Sequence, residues 1–156
     1  MTPFAGNRVD EEAFRMLVEA QIAAGVAGIV AVGTTGESPT LTVKEHLRVI
    51  ELAVESAAGR IQVIAGTGAT STAEAIHMTQ EAEKMGVDGT LQVCPYYNKP
   101  SPGWRLCPFK AIADATCCRS CCTASRAVAV LKSRRRWTRK GLSLHYLRER
   151  PAAWTA

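Results

Sequence analysis

From about Asp10 to Cys94 the chain alternates two patterns: segments with apolar residues three and four apart, and short runs that are apolar throughout. The first is the stripe of a helix with one buried face, the second a strand covered on both sides. Their alternation predicts repeated βα units and a parallel sheet. A helix from about Asp10 carries Phe14, Leu17, Val18 and Ile22 on one face, stops near Gly25 and hands the chain to a strand at Gly28–Val32. A second, from about Thr42, presents Leu47, Ile50, Leu52 and Val54 among Lys44, Glu45, Arg48 and Glu51, and leads to a strand at Ile61–Ala65. A third, opened by Ser71-Thr72-Ala73-Glu74, runs to Met85 and feeds a strand at Thr90–Cys94.

Each strand is followed by a polar loop: Gly33-Thr34-Thr35-Gly36-Glu37-Ser38, then Gly66-Thr67-Gly68, then Pro95-Tyr96-Tyr97-Asn98-Lys99-Pro100. In a parallel βα barrel such loops share the C-terminal face, where ligands bind. Two readings of Gly33–Ser38 stand side by side. Its glycines and hydroxyls can simply turn the chain and cap the next helix, or its successive N–H groups, with the Thr34 and Thr35 hydroxyls, can cradle a carboxylate or phosphate. Tyr96 and Tyr97 are either packed aromatics or phenols placed for a ligand. Gly66-Thr67-Gly68 alone indicates little.

Charge divides the 156 residues. Residues 1–116 hold 9 Lys and Arg against 13 Asp and Glu, whereas 117–156 hold 10 against Glu149 alone, so the overall +5 averages two unlike parts. Four of the six cysteines, Cys117, Cys118, Cys121 and Cys122, crowd the same boundary, which is neither a secreted disulfide framework nor a zinc site, because no separated second ligand pair follows. Arg134-Arg135-Arg136-Trp137 with Arg139-Lys140 has the look of a nucleic-acid patch. His46, His77 and His145 show no metal-ligand spacing and read as surface or boundary residues; Lys44, Lys84, Lys99 and Lys110 read as solvated or rim charges. No secretory or transit pattern opens the chain and no apolar run reaches membrane-span length, which makes the cytoplasm the expected compartment.

Taken in order and spacing, the three loops, with Thr2-Pro3-Phe4, Val9-Asp10, Ser71-Thr72-Ala73-Glu74-Ala75-Ile76 and Phe109-Lys110-Ala111-Ile112-Ala113, resemble the dihydrodipicolinate synthase family over about residues 2–116. The resemblance implies an α/β fold, the N-terminal half of a (β/α)8 TIM barrel with its first strand also missing. It further implies a lyase of lysine biosynthesis in which a lysine amine forms a Schiff base with pyruvate, and the enamine then adds to aspartate semialdehyde. By the same resemblance Thr34 and Tyr97 belong to a proton relay, Tyr97 reaching into a neighbouring subunit, and Thr34, Thr35 and Gly36 bind the pyruvate carboxylate. Glu74 and Tyr96 match positions that hold feedback lysine in some members, while Val43 and Thr70 depart from the His and Asn often found there. The family needs no metal or cofactor and forms homotetramers from tight dimers; no nucleic-acid or membrane partner is implied. An N-acetylneuraminate lyase type of pyruvate lyase is the nearest alternative, and Thr34, where those enzymes usually carry Ser, favours the synthase. A non-catalytic basic nucleic-acid-binding protein is the other.

Residues 117–156 do not continue the family pattern and are expected to be an out-of-frame tail rather than a native domain. Cys117–Ser133, back-translated with permitted codons and read one base earlier, spells Leu-Leu-Pro-Ile-Met-Leu-Tyr-Ser-Ile-Pro-Gly-Arg-Cys-Gly-Val-Glu-Ile, which resembles the family's next strand with its relay tyrosine and entrance arginine. Arg148–Ala156 decodes in the displaced frame as Lys-Gly-Ala-Thr-Gly-Gly-Val-Asp, resembling the surroundings of the Schiff-base lysine. Arg134–Leu147 decodes less well, and Gly103–Pro108 also departs from the family. A chain translated this way lacks the nucleophile and is expected to be inactive, with open sheet edges that promote aggregation.

Overall fold

The computed structural model describes residues 1–93, 106–116, 120–124 and 127–131. Helix α1 (Glu11–Ala23) starts where the Asp10 carboxylate accepts the Ala13 amide at 3.0 Å, satisfying one N–H that a first turn leaves open. Helix α2 (Val43–Ala57) carries a capping box, with Thr42 Oγ1 accepting the Glu45 amide at 3.4 Å and the Glu45 carboxylate accepting the Thr42 amide at 2.9 Å. The Thr42 hydroxyl and amide hold the Glu45 carboxyl below its ordinary range. Helix α3 (Thr72–Met85) is capped by Ser71 and ends on Gly86 at φ 86, a left-handed stop suited to glycine. Helix α4 (Leu106–Ala115) follows later in the chain.

Strands β1 (Phe4–Ala5) and β2 (Arg8–Val9) form a small antiparallel hairpin. The main sheet is built from β3 (Gly28–Ala31), β4 (Gln62–Gly66), β5 (Gly89–Val93), β6 (Ser120–Ala124) and β7 (Ala127–Leu131), in that order. β3 through β6 are parallel, and β7 returns antiparallel to β6. Helices α1, α2 and α3 link or precede the parallel strands as the sequence predicts, each boundary falling within a residue or two.

The core lies between the helices and one face of the sheet. Register places Ile29 beside Val63, and Ala31 beside Ala65 beside Thr90, in rows that face α2 and α3. Against them pack Phe14 and Val18 of α1 and Val49, Ile50, Leu52, Ala53 and Ala57 of α2. The opposite rows, Val30, Ile64 and Gly89, belong to what is the interior face of a closed barrel, and there Val30 remains 52% exposed. Outside the core, the seam between α1 and α2 carries Arg48 bonded to Glu11 at 2.8 Å and to Glu51 at 2.6 Å. These side chains are more than a third exposed, so the pairs add little individually and weaken with salt.

Three expectations change. Leu17 is 46% exposed rather than buried with Phe14 and Val18. In α2 the buried stripe runs through His46, Val49, Ile50 and Ala53, with Leu47 and Val54 at its margin, because α2 leans over the end of β4. β5 is not apolar on both faces, since Thr90 and Gln92 are its helix-facing residues and both are buried. Beyond Thr116, β6 occupies the slot beside β5 where a barrel's next parallel strand belongs. The outer edge of β5 offers unspent amides and carbonyls, and a short segment without proline can take them up.

Candidate functional site

Because β3, β4 and β5 are parallel, the segments that leave their C-terminal ends emerge on one rim of the sheet. At the end of β3 the chain turns sharply. Val32 adopts φ 52, a left-handed conformation that costs a β-branched residue roughly 1–2 kcal/mol. Backbone strain of this kind collects where surrounding structure enforces it, often beside functional loops. Two short 3₁₀ turns follow, Thr34–Gly36 and Ser38–Thr40, separated by Glu37 at φ 60.

The first turn closes on itself through the Gly36 amide to the Gly33 carbonyl at 2.8 Å and the Glu37 amide to the Thr34 carbonyl at 3.1 Å. The amides of Thr34 and Thr35 are not used in this ladder, and both side chains are exposed. Thr34, Thr35 and Gly36 are therefore brought together in one turn. Thr2, buried to 4% exposure, donates its hydroxyl to the Gly36 carbonyl at 2.7 Å.

The end of β4 has a different character. Gly66 lies so close to β3 that a Cβ there would overlap the Val32 carbonyl oxygen and stand 2.8 Å from its carbon. Gly68 is similarly pressed on β5, where an added Cβ would meet the Val93 backbone and side chain. Between them Thr67 is fully buried; its hydroxyl lies 2.9 Å from the Thr79 hydroxyl, and the Gln92 amide donates to both, at 2.6 and 2.9 Å. The Thr79 hydroxyl also lies 2.6 Å from the Ala75 carbonyl in α3. Gly66-Thr67-Gly68 thus braces β4 against β5 and α3.

His46, which reads from sequence as a surface or boundary residue, is buried, with Nε2 2.6 Å from the Gly66 carbonyl. A carbonyl only accepts, so Nε2 carries the proton. Burial pushes the imidazole pKa below 6.5, opposed by the Gly66 bond and by the Glu74 carboxylate. The sign follows directly. Below about 6.5 the unfolded chain takes up a proton that the folded chain resists, so His46 stability is complete above that pH and is lost as pH falls toward the depressed folded value. Urea midpoints measured from pH 7.5 to 5.5 should fall, with a limiting slope of about 1.4 kcal/mol per pH unit for one proton. His46→Gln should flatten that part of the profile, and an unchanged slope in the variant would contradict the assignment.

Glu74, expected from the resemblance, is exposed in the first turn of α3, near enough to His46 to act on its charge, and is not in the Thr34–Gly36 turn. Tyr96 and Tyr97 lie outside the described residues, as do Lys99 and His145. Lys44 and Lys110 are exposed, and Lys84 pairs with Glu81 at 2.6 Å, as rim charges should. Sequence reading missed His46 and Thr2. His46 was discoverable from its place in the i, i+3, i+4 stripe with Val49 and Ile50; nothing local marks Thr2. Among the described residues no group of three or more His, Cys, Asp or Glu could hold a metal ion, and no helix is long and apolar enough to cross a membrane.

Comparison with known proteins shows the family and the fold. The Dihydrodipicolinate synthetase family matches residues 1–119. A 4-hydroxy-tetrahydrodipicolinate synthase from Rhodopseudomonas palustris (strain BisA53) is 56% identical over 115 residues, covering 74% of this chain and 39% of that protein. One from Phenylobacterium zucineum (strain HLK1) is 54% identical over the same share of each. Among solved structures, dihydrodipicolinate synthase from Aquifex aeolicus matches with a TM-score of 0.75 at 49% identity, covering 77% of this chain and 41% of that one. The chloride-inhibited enzyme from Acinetobacter baumannii, complexed with pyruvate, matches with a TM-score of 0.74 at 44% identity, covering 76% and 41%. The chain spans about two fifths of the length of the relatives it matches.

Proposed function

Since the chain belongs to the dihydrodipicolinate synthetase family and has the fold of part of a TIM barrel, we propose that its Thr34–Gly36 turn is the pyruvate-carboxylate cradle of a 4-hydroxy-tetrahydrodipicolinate synthase. The observation that carries this reading is the turn itself, placed on the C-terminal rim of parallel strands with the Thr34 and Thr35 amides and hydroxyls unspent among the described residues. A carboxylate is a flat, two-oxygen anion, and adjacent N–H and O–H donors satisfy it without a counter-charge. Thr34, with Tyr97, relays protons to and from the reacting ketone in this reading, and Thr35 contributes its backbone amide to the cradle, with Gly36 closing the turn beside it. Glu74 and Tyr96 occupy the regulatory lysine positions, with Val43 and Thr70 weakening any feedback response.

The complete reaction joins pyruvate to aspartate semialdehyde through a lysine Schiff base, in the cytoplasm and in a homotetramer. Residues 117–156 supply a displaced reading frame instead of that lysine. The charge break at Thr116 supports this, as does the position of the relay tyrosine in the restored frame, which coincides with Thr123 of β6, paired in parallel with Val93 of β5. The restored arginine coincides with Val128.

Incubating the purified chain with pyruvate and borohydride should therefore give no covalent adduct by mass, while pyruvate shifts the NMR amide signals of Thr34 and Thr35. A reduced pyruvate adduct on any lysine contradicts the displaced-frame reading. Amides at 34–36 that stay still contradict the cradle.

A further inference from the structure

We infer that Thr2 is a positioning residue for the carboxylate cradle, acting on the Thr35 amide through two rigid peptide planes. The inference rests on the cradle reading and adds to it a residue 33 positions away in sequence that touches no substrate.

The first plane is the peptide joining Gly36 to Glu37. At one end its carbonyl accepts the Thr2 hydroxyl at 2.7 Å, and at the other its N–H donates to the Thr34 carbonyl at 3.1 Å. A trans peptide is flat, with C=O and N–H pointing in opposite directions, so fixing one end aims the other. The second plane joins Thr34 to Thr35. Its carbonyl is held by the Glu37 amide, and its opposite end is the Thr35 N–H, which the turn leaves unspent. A proton on Thr2 Oγ1 thus sets the tilt of the Gly36–Glu37 plane, and that plane sets the direction in which the Thr35 donor points.

The anchor is itself held. Thr2 is buried, the neighbouring Pro3 carbonyl accepts the Asp10 amide at 2.9 Å, and Asp10 caps α1. Between Asp10 and Pro3 the β1–β2 hairpin closes the connection. The hydroxyl consequently reports the position of α1 to the loop. Glu37 at φ 60 has left-handed geometry that a solvated loop has little reason to keep, and a held plane on its N-terminal side gives one.

The test uses the full chain with two substitutions. Thr2→Val keeps the shape and removes the donor; Thr2→Ser keeps the donor and removes a methyl. Pyruvate is titrated into each with the Thr35 and Glu37 amides followed by NMR, together with Glu37 hydrogen exchange, while α2 and β4 signals check that the fold is retained. Thr2→Val should weaken pyruvate binding about fivefold to tenfold, the worth of one hydrogen bond, and speed Glu37 exchange by a similar factor. Thr2→Ser should restore both. Wild-type affinity in Thr2→Val, or equal impairment in the two variants, overturns the assignment. If the wild-type Thr35 amide does not respond to pyruvate at all, the cradle reading falls and the substrate role of Thr2 with it, whereas the exchange rates still decide whether the two-plane linkage exists.

Discussion

Gly66→Ala should destabilise the chain by at least about 3 kcal/mol, the upper range for overpacking, because the colliding atoms are backbone on both sides. The new methyl would fall on the Val32 carbonyl and within 3.2 Å of the Ala31 carbonyl oxygen, and neither can rotate away as a side chain would. Only Val32 can yield, by leaving its left-handed conformation, and Val32 is where the chain departs β3 for the Thr34–Gly36 turn. Urea denaturation should therefore show a large fall in midpoint, accompanied by displaced amide signals at 33–37. The double variant Val32→Gly, Gly66→Ala should recover part of the loss, since glycine lets that carbonyl swing at little cost. Strictly additive effects would mean the two positions are not coupled.

Replacing Gln92 with Leu should cost on the order of 2–3 kcal/mol, although it adds apolar surface to a buried site. Gln92 is 1% exposed, and Thr67, Thr79 and Thr90 around it are 0% exposed, so no solvent replaces what its amide gives them. Its Nε2 donates to Thr67 and Thr79 at 2.6 and 2.9 Å, with Thr90 a longer contact at 3.4 Å. After the substitution the Thr67 and Thr79 hydroxyls can still bond one another, which limits the loss, but each then has one fewer partner in a low-dielectric setting. Gln92→Met is the useful companion, since it keeps the length of the side chain and loses the donors at every pH. A leucine variant as stable as wild type would show that the cluster is dispensable packing.

The helices were the legible part of this fold. Asp10, Thr42 and Ser71 precede the three helical stripes, glycines stand near all three stops, at Gly25, Gly59 and Gly86, and the parallel strands fall between them. The functional turn was legible as a residue string, Gly33–Ser38, though not as two 3₁₀ turns hinged on Glu37. The β1–β2 hairpin was missed despite the Gly6-Asn7 pair between its strands, because two-residue strands give period-2 alternation no length to show itself. α4 was seen only as a matching string, Phe109–Ala113, since Pro108, which sits within its first turn, reads locally as a break. His46 and Gln92 were misjudged for a common reason. Polar residues enter a core when a specific partner waits there, the Gly66 carbonyl for one and three hydroxyls for the other, and a partner 20 or 25 positions away leaves no trace in local periodicity.

The direction of β7 bears on how the sheet can grow. A barrel of this kind is a ring in which every strand runs the same way, so each new strand must meet an edge whose amides and carbonyls have parallel spacing. β7 lies antiparallel on β6 and replaces that edge with one of reversed polarity. A strand added parallel to β7 would enter upside down, its C-terminal end on the rim opposite Thr34, and one that keeps the barrel's direction would have to pair with β7 antiparallel. Among the described residues the sheet is an open gutter with two dissimilar lips, β3 on one side and β7, of reversed direction, on the other.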